Sequence, residues 1–159
     1  MGYFRASEAD DPTTNQATHD TRGDASGEHR VRDFDAATEE SIVFAGYIES
    51  YAGGGLTIDL YWSAETPITS GDVKWSAAIE RGNTDVDAAS FATAGTATST
   101  TNATSGIKTK TTITFADGAA MDSLGANEEY RIKIARVAAD VADTMAGDAE
   151  LHGIAVYET

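Results

Sequence analysis

Gly53-Gly54-Gly55-Leu56-Thr57-Ile58-Asp59-Leu60-Tyr61-Trp62 is the stretch whose reading decides the fold. Leu56, Ile58, Leu60 and Trp62 alternate with Thr57, Asp59 and Tyr61, the period-2 pattern of a strand with one buried face. A second run follows, Val73, Trp75, Ala77 and Ile79 against Lys74, Ser76, Ala78 and Glu80. Between the two runs Pro67, Ser70 and Gly71 mark a turn. Tryptophans facing one way from neighbouring strands each bury roughly 150–250 Å² and would anchor a sheet core.

Outward from this pair the chain repeats the pattern. Ser41 to Ile48 places Ile42, Phe44, Gly46 and Ile48 on one face and Val43, Ala45 and Tyr47 on the other, so both faces are apolar and one is free for a subunit contact. Ile107 to Phe115 carries Lys108 and Lys110 on its polar face, as befits a guarded edge strand. Thr93 to Ser105 is a weakly patterned strand or loop, Asp117-Gly118 a turn, and Met121 to Leu124 a single helical turn. Glu128 to Val137 and Glu150 to Tyr157 supply the last strands. About eight strands with almost no helical period predict an all-β, antiparallel jelly-roll-type sandwich over residues 29–159. Residues 1–28 show neither period and read as an extended N-terminal arm, with Tyr3 and Phe4 as aromatic anchors near its tip.

Composition narrows the function. With 26 acidic against 11 basic residues the net charge is −15, which repels phosphate backbones and argues against a nucleic-acid reader. No cysteine is present, so disulfides and thiolate sites are excluded. Neither a signal-like N-terminus nor a run of roughly 18 apolar residues occurs, and a soluble chain with no membrane partner is expected.

Candidate chemistry is sparse. His19, His29 and His152 lack the spacing of a metal-binding cupin, and no nucleophile elbow is present, so an enzyme is not expected. His152 reads as a rim residue rather than a base. Asn83, Asp85 and Asp87 offer oxygens at alternate positions like the start of a calcium loop, but Ala88 replaces the turn glycine and Ala94 the twelfth-position glutamate. Asp140, Asp143, Asp148 and Glu150 would add to that loop only if the fold joined the two segments. No cofactor is expected. Arg22-Gly23-Asp24 spells an integrin tripeptide, a match too short to carry function. Tyr47, Tyr51, Tyr61 and Trp62 form a candidate sugar-stacking set, although Trp62 is also required by the core.

The segments Phe44-Ala45-Gly46, Tyr51 to Thr57, Trp75, Phe115 to Gly118, Met121 to Leu124 and Asp143 to Leu151 resemble a family of small all-β virion structural proteins of tailed phages and related viruses. The resemblance implies a capsid decoration or cement protein, built as a homotrimer and bound to the major capsid protein or other virion proteins. Such a protein is made in the host cytoplasm and sits on the outer surface of the particle. On that reading Tyr3, Phe4, Val43, Tyr47 and Tyr51 would make the capsid or subunit contacts. The alternative is a tail or head-fibre component, or an adhesin module that binds a host glycan.

Overall fold

The computed structural model describes residues 2–65, 71–82, 85, 87, 88 and 90–159. Among these residues ten strands are formed: β1 (Gly2–Arg5), β2 (Thr18–Asp24), β3 (Gly27–Phe34), β4 (Glu40–Ile48), β5 (Leu56–Ala64), β6 (Asp72–Arg81), β7 (Gly95–Thr100), β8 (Thr109–Phe115), β9 (Glu128–Arg136) and β10 (Ala149–Glu158). They build two antiparallel sheets, β2-β3-β10-β5-β8 with β1 added beside β10, and β4-β9-β6-β7. This is the expected jelly-roll-type sandwich. The lysine-bearing β8 is an edge strand, as its polar face implied.

The core lies between the sheets. Leu56, Ile58, Leu60 and Trp62 of β5 face Trp75 and Ile79 of β6 and Ile132 and Ile134 of β9, all fully buried. The Trp62 and Trp75 rings sit 6.0 Å apart, and Phe34 meets Trp75 edge-on at 4.9 Å. Trp62 donates its indole N–H to Thr111 Oγ1 at 2.9 Å, which satisfies the polar end of a buried ring.

Residues 2–28 do not form an arm. β1 pairs with Gly153 to Val156 of β10, β2 forms a hairpin with β3, and the expected boundary at 28/29 cuts that hairpin. The physical reason is Arg32. Its guanidinium is buried under the irregular segment between β1 and β2, donating to the carbonyls of Ala6 (3.4 Å), Ala17 (2.9 Å) and Ala9 (3.0 Å) and pairing with Asp11 at 2.6 Å. One side chain thus satisfies backbone acceptors that no ladder reaches.

Candidate functional site

The outer face of the six-stranded sheet carries the most concentrated chemistry. Along β5 and β10 the pairs Tyr61–Gly153, Asp59–Ala155 and Thr57–Tyr157 point outward, and β1 places Tyr3 opposite Ala155. Tyr3, Tyr61 and Tyr157 therefore share one patch, with the Tyr3 and Tyr61 rings 6.2 Å apart and Tyr3 and Tyr157 both exposed. In its midst is Asp59, which is buried. Desolvation pushes its carboxyl up, but bonds from Thr112 Oγ1, Lys110 Nζ (3.1 Å) and the Tyr157 hydroxyl (3.2 Å) outweigh this and hold it below the usual range.

A bulge shapes the floor of the adjoining cleft. Between Leu151 and Gly153 the register of β10 slips against β5, so an extra residue, His152, enters the strand. Bulges re-aim side chains in this way. A Cβ on Gly153 would stand 2.6 Å from the Tyr3 hydroxyl and 2.4 Å from the Phe4 carbonyl, so only glycine leaves room for β1 to lie where it does. The resulting cleft, about 420 Å³, has His152 in its lining, together with Tyr3 and Arg5 of β1, Glu28, His29 and Arg30 of β3, and Lys108 before β8.

His152 is 7% exposed, and burial, with Lys108, His29 and Arg22 nearby, lowers its pKa to about 4. Ser63 gives its one hydroxyl proton to Glu150 Oε2 at 2.9 Å, so the neutral ring meets Ser63 Oγ at 2.9 Å as the tautomer that donates from Nε2. The serine stands between base and carboxylate and is itself buried, which is not the order of a nucleophilic triad, where the carboxylate orients the histidine.

Behind this chain lie three carboxylates. Asp20, Asp33 and Glu150 each place an oxygen within 4.8 Å of the others. Glu150 is buried and binds Arg22 Nε at 3.1 Å through Oε2, while its Oε1 and Asp33 Oδ1 have no partner among the described residues. Burial, reinforced by Glu150, Asp20, Glu65 and Asp148, pushes Asp33 up to about 7, and burial raises Glu150 as well. Three donors are fewer than the six to eight oxygens Ca²⁺ takes, and Arg22 already supplies a cation on one side.

The residues singled out from sequence scatter. Tyr3 lines the cleft, but Phe4 turns inward, is half-buried and packs on Phe44 at 6.2 Å. Val43 is half-buried and exchanges backbone bonds with Asp10 of its own chain. Tyr47 is exposed on the opposite sheet, beside a hollow of about 510 Å³ whose Arg131 is already paired with Glu80. Tyr51 bonds Asp117 at 2.6 Å at one end of the molecule. Of the proposed stacking set only Tyr61 joins the patch; Trp62 is core. Asn83 lies outside the described residues, and Asp85 accepts from the Asp87 backbone N–H at 3.1 Å. Asp140 and Asp143 are bound to Lys74 and Arg136, and Arg22 of the integrin-like tripeptide is bound to Glu150. Sequence reasoning missed Arg5, Arg30, Lys108, Tyr157 and the bulged His152 as members of one site. Only the outward parity of Asp59, Tyr61, Lys108 and Lys110 was readable beforehand.

No protein-family model matches the chain, and no curated protein is significantly similar to it in sequence. Solved structures do match. The family 11 carbohydrate-binding module from Clostridium thermocellum, in complex with a β-1,3-1,4-mixed-linked tetrasaccharide, superposes with a TM-score of 0.53 at 9% identity, covering 99% of this chain and 95% of that one. The family 6 carbohydrate-binding module from Clostridium cellulolyticum, in complex with xylose, gives 0.50 at 13% identity, covering 98% and 96%. What is shared is the fold. At these identities the likeness extends to the jelly-roll architecture and not to particular side chains.

Proposed function

We propose that this chain is a glycan-binding module of adhesin type. The observation that carries the reading is the outward patch of Tyr3, Tyr61 and Tyr157 around the anchored Asp59 and Lys110. Sugar rings present C–H faces that stack on exposed aromatics and hydroxyls that bond to exposed ammonium and phenol groups, and this patch offers both, with Asp59 beneath holding Lys110 and Tyr157 in place. The saccharides held by the structurally similar modules support the reading. The cement reading loses the tether it relied on, because residues 2–28 are built into the chain's own sandwich through β1, the β2–β3 hairpin and the Arg32-held segment between them.

The test is an oligosaccharide array with the intact chain, followed by titration of whatever is retained. Tyr3→Ala and Tyr157→Ala, both at exposed positions, are expected to weaken binding about tenfold each while leaving the thermal midpoint within a few degrees of wild type. A chain that retains no saccharide of any kind rejects the proposal.

A further inference from the structure

In so acidic a protein the fate of each cation is informative. Of the 11 lysines and arginines, Arg22, Arg32, Lys74, Arg81, Lys110, Arg131 and Arg136 are ion-paired, which leaves four without a carboxylate partner among the described residues: Arg5, Arg30, Lys108 and Lys133. Three of those four line the cleft beside the tyrosine patch. They come from three separate places in the chain, the end of β1, the β2–β3 hairpin and the approach to β8, so local sequence does not explain their meeting. The one carboxylate in the lining, Glu28, is ion-paired with none of the three, so these like charges still repel one another unless a further anion sits between them. With 26 acidic side chains to hand, the fold nevertheless leaves these three unpaired.

We infer that the glycan carries an anionic group, a uronic or sialic carboxylate or a sulfate ester, held by Arg5, Arg30 and Lys108 while the neighbouring sugar stacks on Tyr3 and Tyr61. This rests on the glycan reading above and specifies its ligand class. Arginine forks match carboxylate and sulfate geometry with paired N–H donors, and Lys108 adds a point charge. The surrounding charge of −15 sets the other limit. It repels a dense polyanion, so the fitting ligand bears one charged residue among neutral sugars.

Matched oligosaccharides separate the possibilities: lactose beside sialyllactose and sulfated lactose, and xylotriose beside its glucuronosyl derivative, titrated calorimetrically. At least one acidic member is expected to bind more than tenfold tighter than its neutral parent, with the advantage shrinking several-fold between 50 and 500 mM NaCl as screening shortens. The carboxylate and sulfate arms tell the two sources apart. Arg5→Gln/Arg30→Gln/Lys108→Gln removes three exposed charges and should abolish the preference, whereas Lys133→Gln, on the opposite sheet, should not. Equal affinity for neutral and acidic members overturns this inference and leaves the glycan reading standing. No binding to any member, after an array that is also blank, overturns both.

Discussion

At the residue scale, two buried arginines hold the irregular parts of this molecule. Arg136 is fully buried and all its donors are used: Nε and Nη2 on Asp143 (3.0 and 2.7 Å), Nη1 on the carbonyls of Phe34 and Gly147, and Nη2 also on that of Met145. It therefore pins the β9–β10 connection to the sandwich, as Arg32 pins the β1–β2 connection. Removing one partner of such a pair strands a buried charge, at a cost of about 3–5 kcal/mol. Arg136→Met is thus expected to lower the thermal midpoint by roughly 6–20 °C in a chain of this size, measured by calorimetry. A shift of only one or two degrees would mean that the connection holds itself together without the arginine. Neither arginine was legible in the sequence. A strand arginine at an inward-facing position looks like any solvated one until the loop above it is known, whereas Trp62 and Trp75 declared their direction through their alternating neighbours.

At the element scale, the contrast between β5 and β1 shows what alternation can and cannot reveal. β5 carries large apolar side chains every second residue, and its place in the core followed from that alone. β1 has four residues, and the segment after it buries only alanines, Ala6, Ala9 and Ala17, whose small apolar area does not register as a pattern. What seats β1 is a glycine on another strand. Gly153→Val is expected to push Phe4 and Tyr3 off β10, because a backbone oxygen 2.4 Å from the new Cβ cannot be accommodated by side-chain rotation. Cleavage by trypsin after Arg5 should accelerate by an order of magnitude or more, and saccharide retention should fall with it. Unaltered protection of residues 2–5 in hydrogen exchange would show that β1 is held by something other than close contact with β10. The site was hidden for the same reason: its cations sit on elements whose adjacency depends on β1 and on the bulge at His152, and neither leaves a periodic trace.

At the scale of the whole molecule, a buried group and a half-buried one with opposite shifts govern how stability responds to acid. His152 titrates near 4 in the fold and near 6.5 when unfolded, so below about 6.5 the unfolded chain binds the extra proton and stability falls as pH drops toward 4. Asp33 runs the other way. Its folded pKa of about 7 lies above the unfolded 3.8, so the native state holds the extra proton across that interval and stability falls as pH rises through it. Each group contributes a slope of at most about 1.4 kcal/mol per pH unit, and the partial exposure of Asp33 reduces its share. Because the two windows overlap, their slopes offset one another and the wild-type profile between pH 4 and 7 should be flatter than either group alone would make it. Asp33→Asn keeps the shape of the protonated acid and removes its titration. The variant is expected to match wild type near pH 4, to gain stability with rising pH through the histidine window, and to melt several degrees above wild type at pH 8. Thermal unfolding of both proteins from pH 4 to 8 at fixed ionic strength measures this. Parallel profiles would show that Asp33 ionises in the fold as readily as in the unfolded chain, and that the strain among Asp20, Asp33 and Glu150 is relieved by another route.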